Sequence, residues 1–298
     1  MAFRNLIIES PARISVKQSR LIIATDREHA VPMEDISALL LESRQSTIST
    51  AALSLLGEQG CCVYFCDEKH LPCAVLLPFS QHSRAPQMLQ RQLAMGEPLR
   101  KRLWQSIVQA KIRNQARCLV LEGKNGEGLT ALAERVRSGD PDNVEATAAA
   151  RYFPLLFGDE FVRREDEDVR NAALNYGYAL LRGCAARNLA VYGFVPSLGL
   201  CHHSGVNSFN LADDIMEPFR PLVDLAVSRH VFERDALTPE AKRMLFSLLS
   251  MDVLSGGQRH SVAYAMERLV QSLGRSLEEK APALLLPELQ ELKLHEYE

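Results

Sequence analysis

The hydrophobic pattern of the chain changes near residue 85, and this change limits the folds that it can adopt. Before that point the chain holds short apolar runs, rich in β-branched residues and separated by frequent breaks: RNLIIES, ARISV, RLIIAT, HAVPM, ISALLLE and CCVYFCD. Such runs are typical of strands. Between the last two of them, STISTAALSLLGEQG has apolar residues at helical spacing and predicts one short helix. We therefore expect a β-rich, sandwich-like domain over residues 1–84.

The remainder of the chain has helical periodicity. It follows LLPFSQHSRAPQM, a segment suited to a linker, and apolar residues such as Leu99, Leu103 and Ile107 recur there at steps of three and four. Thr238 followed by Pro239 is typical of a helix start. These patterns predict a larger all-α domain over residues 85–298 and an α+β fold for the whole chain.

Composition excludes several classes of protein. The 298 residues, 47% of them hydrophobic, are enough to form two domains with cores. No apolar run approaches the ~18 residues that cross a bilayer, and the opening MAFRNLIIESPARISV lacks a long apolar signal region. The seven cysteines are an odd number in a chain without an export signal, so we expect reduced thiols. The expected location is the cytoplasm, with no membrane contact.

Charge is segregated along the chain despite a formal net charge of only -3. From residue 84 to residue 117 there are eight basic residues and one acidic residue, a local charge of +7, whereas residues 278–298 are acidic. A solvated helix surface explains most charge runs, but such surfaces usually mix both signs. A run of one sign is also suited to DNA phosphates, because release of counterions supplies much of the affinity. Trp104 is either a stacking platform for a base or a core residue.

A cysteine-rich stretch offers a candidate zinc site. Cys62, Cys66, His70 and Cys73 are ligand types, and a zinc-stabilised β module is one interpretation of them. Their spacing departs from the usual pairs of zinc ligands, and CVYFC has the pattern of an apolar strand. Core thiols are the favoured interpretation.

The segment SGDPDNVEATAAARYF predicts a turn followed by an alanine-rich helix. Asp142 at the cap and Glu145 three residues later match a variant capping box. Alternatively, the carboxylate of Glu145 on the first turn of a closely packed helix is a rigidly held metal ligand. The segment alone leaves both interpretations open.

Histidines and carboxylates crowd the segment GLCHHSGVNSFNLADDIMEPFRP. A helix over residues 211–217 would place Asp214 and Glu217 on the same face, where like charges repel unless a cation lies between them. Pro218 is expected to interrupt that helix. His202 and His203 precede it in a loop. Taken alone, the segment is either a metal site or a polar turn.

Four segments together resemble the CRISPR-associated spacer-acquisition integrases, the first-numbered core subunit of that machinery. They are KIRNQA, VEATAAARYF, LNYGYALL and GLCHHSGVNSFNLADDIMEPFRP, and the similarity extends over nearly the whole chain. NLADDIMEPFRP is most like the versions that accompany single-protein RNA-guided effector nucleases. The resemblance implies a divalent-metal-dependent DNA endonuclease and integrase. Such an enzyme inserts short foreign DNA into a CRISPR array by transesterification, in which a DNA 3′-hydroxyl attacks a phosphodiester of the repeat.

The resemblance also implies the residues of the site. Glu145, His202 and Glu217 match the metal-binding catalytic residues, and Asp214 matches a supporting acidic position. Many relatives have Asp where this chain has Glu217, so the side chain is longer by one methylene. A site of two carboxylates and one imidazole suits Mg²⁺ or Mn²⁺.

The expected partners are DNA and other proteins. The basic segment and further arginines are candidate contacts for double-stranded and branched DNA: Arg84, Lys111, Arg113, Arg117, Arg163, Arg164 and Arg220. The resemblance implies a homodimer joined by the first domains and a second-numbered core subunit that bridges two dimers. The effector nuclease complex is a further candidate partner.

An alternative function retains the fold without the chemistry. In a metal-free DNA-binding scaffold, Glu145 would serve as a helix cap, and His202 and Glu217 as loop contacts. Metal-dependent cutting of branched DNA distinguishes the enzyme from such a scaffold.

Overall fold

The computed structural model describes residues 4–78, 85–163, 168–231 and 236–296. Strands dominate the first part of the chain and helices dominate the rest, which confirms the predicted order of a β-rich region before a helical one. The predicted domain boundary falls between the last strand of the first part and the first helix after it, where residues 79–84 lie outside the described ranges.

The first region forms two four-stranded sheets and one α-helix. In chain order its elements are β1 (Arg4–Ile8), β2 (Arg13–Lys17), β3 (Arg20–Ala24), β4 (Glu28–Pro32), β5 (Ile36–Leu41), β6 (Thr47–Ile48), α1 (Thr50–Glu58), β7 (Cys62–Cys66) and β8 (Pro72–Val75). One sheet has the order β1-β5-β7-β8, in which β1, β5 and β7 are parallel. The other has the order β4-β3-β2-β6. The six predicted strands and the predicted helix α1 are confirmed, and the short strands β6 and β8 are additional.

Strand β5 is buried on both faces, and this determines how the two regions meet. Leu39 and Leu41 belong to a core shared with the other sheet and α1, whereas Ala38 and Leu40 belong to the core of the helical region. Alternate residues of a strand point to opposite faces. The first sheet therefore lies between the second sheet and the helices.

Nine α-helices and three strands follow in the described part of the second region. They are α2 (Ala85–Leu93), α3 (Glu97–Leu121), α4 (Glu127–Ala133), α5 (Val144–Phe157), α6 (Val169–Val191), α7 (Asn210–Met216), α8 (Arg220–His230), α9 (Pro239–Ser247), β9 (Met251–Ser255), β10 (Gln258–Ser261), α10 (Val262–Glu279) and β11 (Pro287–Leu294). As predicted, Leu99, Leu103 and Ile107 form the buried face of α3. Thr238 caps α9 by accepting a hydrogen bond from the backbone N–H of Ala241.

The prediction of an all-α second domain needs one correction. Strands β9, β10 and β11 form an antiparallel sheet of order β10-β9-β11. Strand β11 lies in the charged C-terminal segment, PELQELKL, whose polarity masked its alternating pattern. It pairs with β9 because Leu289 and its neighbours reach the buried core.

The aromatic ring of Tyr64, in the first region, packs on Gly183 of helix α6 and joins the two regions. The hydroxyl of Tyr64, on β7, donates a 2.7 Å hydrogen bond to the carbonyl oxygen of Leu180. A Cβ atom at Gly183 would lie 2.2 Å from Cε1 of that ring, so this close approach requires glycine. The strand-rich region therefore packs directly against helix α6.

Candidate active site

Two acidic side chains meet at the ammonium group of Lys111, in the middle of α3. Its Nζ atom lies 2.5 Å from Oε1 of Glu145 and 2.5 Å from Oε2 of Glu217. Burial alone would lower the pKa of Lys111, but the charges of Glu217 and Glu145 outweigh burial and raise that pKa. The ammonium group therefore stays charged and links two carboxylates that are far apart in sequence.

The first turn of α5 positions Glu145. The side chain of Asp140 accepts hydrogen bonds from the backbone N–H groups of Val144, at 2.9 Å, and of Glu145, at 3.0 Å. Asn143 precedes the helix with a φ of 51°, in the left-handed region that asparagine tolerates better than most residues. This tight turn brings Asp140 over the end of the helix and fixes the backbone of Glu145.

The predicted capping box with Asp142 is wrong. The carboxylate of Asp142 points outward and accepts two hydrogen bonds from Arg137, at 2.9 and 2.8 Å. Asp140 caps the helix instead. The left-handed conformation of Asn143 turns the chain so that the Asp140 side chain reaches the first backbone N–H groups of the helix. Glu145 therefore has no capping role, and its side chain faces Lys111.

Glu217 lies at a change of helix type. Helix α7 passes directly into a 3₁₀ turn, Glu217–Phe219, and α8 follows at once. The helix predicted over residues 211–217 is thus confirmed to within one residue. The α-helix is interrupted at Pro218, as expected, and the chain continues as a 3₁₀ turn, in whose first turn the missing N–H of proline is tolerated.

Cations keep Glu217 ionised although only 3% of the residue is exposed. Arg220 donates a 2.7 Å hydrogen bond to Oε1, and Lys111 lies beside Oε2. Burial alone would raise the pKa of Glu217, but Arg220 and Lys111 outweigh burial and hold the pKa at about 2. Oε2 nevertheless has no hydrogen-bond partner of normal geometry among the described residues.

Asn114 ties this turn to the C-terminal strand. Its amide nitrogen donates to the carbonyl oxygens of Pro218, at 2.7 Å, and Pro287, at 2.9 Å. Its amide oxygen accepts from the backbone N–H of Leu289 at 3.0 Å. The segment beside Glu217 is therefore fixed by β11 as well as by α3. Asn114 lies in the segment KIRNQA, but its hydrogen bonds to Pro218, Pro287 and Leu289 join parts of the chain that are distant in sequence, so no local pattern predicts them.

Asp214 organises the loop before α7. Its fully buried carboxylate accepts hydrogen bonds from the backbone N–H groups of Leu200, Cys201 and His202, at 2.5, 3.1 and 3.2 Å. It also lies 2.7 Å from Nδ1 of the His202 ring. A Cβ atom at Gly199 would lie 2.3 Å from the carbonyl oxygen of His202, so glycine is required for this close turn.

The two adjacent histidines have different surroundings. With Nδ1 of His202 directed to Asp214, Nε2 is the ring atom left for another ligand. The hydrogen bond with Asp214 is the main cause of the raised pKa of His202, to which the charge of Glu217 also contributes. His203 is exposed, and its Nε2 lies 3.2 Å from a guanidinium nitrogen of Arg100.

The predicted metal ligands are only partly assembled. Glu145 and Glu217 are brought to one cation, and His202 lies near enough for the charge of Glu217 to raise its pKa. Across residues 4–78, 85–163, 168–231 and 236–296, no three metal-ligating side chains form a group that could hold an ion. The two carboxylates nevertheless fit a hard divalent cation, which prefers such oxygen ligands, and Oε2 of Glu217 has no hydrogen bond of normal geometry to lose.

The predicted DNA contacts have different environments. Arg113 and Arg117 are exposed on one face of α3, and Arg113 also lies 2.8 Å from Glu134. Lys111 is buried between carboxylates rather than exposed to a ligand. Arg84 and Arg164 lie outside the described residues.

Two further arginines of that set lie near each other. Arg163 donates hydrogen bonds to the side chains of Asn171 and Asn175, at 2.8 and 2.7 Å. The guanidinium carbon of Arg220 lies 4.1 Å from the centre of the Tyr178 ring. These two arginines therefore border one cleft beside Glu217.

The cysteine-rich stretch contains core thiols, as predicted for its strand. Cys62 and Cys66 are buried, and burial raises the pKa of Cys62 to about 12. Cys73 is exposed, and the ring of His70 lies 3.6 Å from Glu42. Separately, none of the helices within the described ranges is long and apolar enough to cross a bilayer.

Comparisons with known proteins agree on one family. The family described as "CRISPR associated protein Cas1" matches residues 6–241. The chain is 43% identical to the "CRISPR-associated endonuclease Cas1" of Neisseria meningitidis serogroup C, over the full length of both. It is 30% identical to "CRISPR-associated endonuclease Cas1 1" of Thermus thermophilus, over 91% of this chain and 88% of that one.

Solved structures share the fold at lower identity. A "Casposase bound to integration product" superimposes with a TM-score of 0.76 at 20% identity, over 94% of this chain and 92% of that chain. A Cas1 protein from Thermotoga maritima gives a TM-score of 0.75 at 15% identity, over 97% of this chain and 100% of that one. The arrangement of a strand-rich region before a helical one is thus common to these proteins.

Proposed function

The chain belongs to the Cas1 family of CRISPR-associated proteins, and from that premise we propose that it is a DNA endonuclease and integrase. It inserts short foreign DNA segments into a CRISPR array. The relative that is 43% identical is named an endonuclease, and the casposase of similar fold is described with its integration product. The observation that carries the proposal is the convergence of Glu145 and Glu217 on one cation beside the His202–Asp214 pair.

A divalent ion, Mg²⁺ or Mn²⁺, is part of this proposal. Glu145, Glu217 and Nε2 of His202 would hold it, with Asp214 orienting the imidazole through Nδ1. Such an ion polarises a phosphodiester and stabilises charge on the leaving oxygen. The donor set of two carboxylates and one imidazole suits both ions.

The residues of the chain prepare the site for transesterification. Arg220 and the 3₁₀ turn fix the position and charge of Glu217, and Asp140 fixes the backbone of Glu145. A DNA 3′-hydroxyl loses its proton and forms a new bond to the repeat phosphorus, while the bond from that phosphorus to the neighbouring 3′-oxygen breaks and this oxygen gains a proton. One phosphodiester replaces another, so no external energy source is needed, and the reverse reaction uses the same site.

The partners follow from the family and from the exposed charges. Arg113 and Arg117 contact double-stranded or branched DNA. In this proposal the first region joins two copies into a homodimer, and a second core subunit bridges two such dimers. One solved structure with a similar fold is described as a "Cas6-RT-Cas1--Cas2 complex". The effector nuclease complex is a further partner, and the protein acts in the cytoplasm.

An integration assay tests the proposal. Purified protein is incubated with a labelled short duplex and a plasmid carrying the repeat, with and without the second core subunit, in Mg²⁺, Mn²⁺ or EDTA. We expect joined products with either ion and none in EDTA. DNA binding without joining under every condition would instead support the metal-free scaffold.

A further inference from the structure

The side chain of Tyr178, on α6, spans one turn of helix α8. The guanidinium carbon of Arg220 lies 4.1 Å from the centre of its ring, and its hydroxyl donates a hydrogen bond to Oδ1 of Asp224. Arg220 and Asp224 are four residues apart in α8, so they share one face of that helix. A single tyrosine therefore contacts both a cation and a carboxylate of this face.

Close packing of α6 on α8 determines where Tyr178 lies. A Cβ atom at the preceding residue, Gly177, would lie 2.4 Å from Cγ1 of Val223, which is the residue before Asp224. Only glycine permits so close an approach of the two helices. The segment NYGY of α6 is therefore fixed against the face of α8 that carries Arg220 and Asp224.

The contacts of Tyr178 extend through Arg220 to Glu217. Arg220 donates a 2.7 Å hydrogen bond to Oε1 of Glu217, while Oε2 of the same carboxylate lies 2.5 Å from Nζ of Lys111. Only 1% of Asp224 and 3% of Glu217 are exposed. Polar contacts are stronger in such a shielded environment than at a surface. A continuous series of contacts thus leads from Asp224 through Tyr178 and Arg220 to Glu217.

A second tyrosine contacts the same carboxyl group but lies elsewhere in the core. Tyr152, on α5, donates a 3.0 Å hydrogen bond to Oδ2 of Asp224, and its ring centre lies 5.2 Å from that of Phe153. A network that only stabilises the fold would depend on both tyrosine hydroxyls. A network that positions Arg220 would depend on Tyr178, whose ring the guanidinium group covers.

We propose that Asp224 and Tyr178 are positioning residues of the active site, which hold the guanidinium group of Arg220 against Glu217 and so fix the orientation of that carboxylate. Asp224 anchors the tyrosine hydroxyl, and the tyrosine ring supports Arg220. The inference rests on the proposed function, because it takes Glu217 as a ligand of the divalent ion. Groups that orient metal ligands commonly change metal affinity when they are removed.

Calorimetric titration of the full-length protein with Mn²⁺, in the absence of DNA, tests the positioning role. Tyr178→Phe keeps the ring and removes only the anchored hydroxyl, and we expect it to weaken Mn²⁺ binding about tenfold. Tyr152→Phe is the matched control, because it removes the other hydroxyl from the same carboxyl group, and it should bind Mn²⁺ as the wild type does. Equal weakening in the two variants, or none in Tyr178→Phe, would overturn the inference.

A double variant tests whether Asp224 acts through Tyr178. Asp224→Ala removes the acceptor of the tyrosine hydroxyl and should also weaken Mn²⁺ binding. Adding Tyr178→Phe to Asp224→Ala should weaken it no further, since both changes remove the same contact. Losses that multiply would mean that the two residues act independently and would contradict the series of contacts.

Nuclear magnetic resonance of the metal-free protein provides a readout that does not depend on the ion. In EDTA, the Nε–H signal of Arg220 is assigned in ¹⁵N-arginine-labelled protein by its loss in Arg220→Lys, and the adjacent aromatic ring shifts it. We expect this signal to move and its proton to exchange faster with water in Tyr178→Phe, and to stay unchanged in Tyr152→Phe. An unchanged signal in Tyr178→Phe would reject the positioning of Arg220.

The two proposals can fail separately. A wild-type protein that binds no Mn²⁺ and joins no strands would reject the proposed function, while the Arg220 signal would still decide whether Tyr178 holds the guanidinium group. Metal-dependent joining together with an unchanged Arg220 signal in Tyr178→Phe would reject the positioning role alone.

Discussion

Lys111 Nζ lies 2.5 Å from Oε2 of Glu217, yet the contact lacks the geometry of a hydrogen bond. The ammonium group therefore donates a hydrogen bond to Glu145 and interacts with Glu217 through charge. It occupies the place where the two carboxylates would otherwise repel each other, which is also the place that a divalent ion favours. Lys111 therefore neutralises the carboxylates of the metal-free protein.

Replacing this lysine should make stability depend on metal. We expect Lys111→Met to lower the free energy of unfolding in EDTA by about 2–4 kcal/mol, because Glu145 loses its cation and the buried Glu217 retains Arg220 but loses Lys111. Mn²⁺ should restore more stability to the variant than it adds to the wild type. Denaturant unfolding measures both effects. Lys101→Met is the control, since Lys101 is an exposed residue of the same helix, 2.7 Å from Glu97. Equal losses in the two variants would contradict the role of Lys111.

Glu145→Ala should abolish strand joining and leave the protein folded. Asp140, not Glu145, caps helix α5, so we expect a change of less than about 1 kcal/mol in stability from lost capping. The assay is joining of a labelled duplex, with circular dichroism as the test of folding. Glu127→Ala, an exposed glutamate in the first turn of α4, should retain activity. Joining by Glu145→Ala at the wild-type rate would mean that the site is assigned wrongly.

The adjacent histidines should differ in their effect on activity. We expect His202→Ala to lose metal-dependent joining, because the Asp214-oriented ring supplies Nε2, and excess Mn²⁺ should restore little. His203→Ala should keep most activity, since its ring is exposed and hydrogen-bonds to Arg100 rather than to a carboxylate of the site. Initial rates of joining for both variants give the comparison. If His203→Ala is inactive and His202→Ala is active, the metal ligand is His203 rather than His202. If both variants are active, this loop does not supply a metal ligand.

Charge reversal on the exposed face of α3 should weaken DNA binding. Arg117→Glu is expected to have a larger effect than Arg113→Glu, whose arginine is already partly neutralised by Glu134. Each lost phosphate contact should reduce the slope of log affinity against log salt by about 1. Anisotropy titrations at several salt concentrations measure this slope. Arg20→Glu is the control, and an unchanged slope in Arg117→Glu would show that this face does not contact phosphate.

Asp224→Asn should remove a pH dependence of stability. Burial raises the pKa of Asp224 from 3.8 to about 6, although Tyr178 and Tyr152 donate hydrogen bonds to it. The folded state therefore binds a proton more tightly, and this carboxyl group contributes less to stability as pH rises from about 4 to about 6. The difference amounts to at most about 3 kcal/mol. Denaturant unfolding at several pH values should show a steeper decline with pH in the wild type than in Asp224→Asn. Parallel curves would contradict the raised pKa.

Local patterns predicted most of the architecture. The short apolar runs of the first 80 residues and the three- and four-residue steps of α3 reflect the buried residues of each element, so they are visible in the sequence. Strand β11 was missed because its burial depends on β9 and on Asn114, which are distant along the chain.

The site was predictable in its residue types but not in its pairings. Glu145 and Glu217 were identified with the help of the family resemblance, and the structure brings them to one cation. Lys111 belongs to a basic run and resembles a surface residue in the sequence. Its burial follows from the packing of α3 against α5 and the 3₁₀ turn, which no local pattern encodes.

The Tyr64 ring packs directly on Gly183, so the strand-rich region and helix α6 meet without a gap at this point. Any rotation of the strand-rich region relative to α6 would therefore have to displace this ring. Wherever copies associate through their strand-rich regions, we expect the distance between their carboxylate pairs to depend on this contact. A bulkier residue at position 183 would displace the Tyr64 ring and is therefore expected to change that distance.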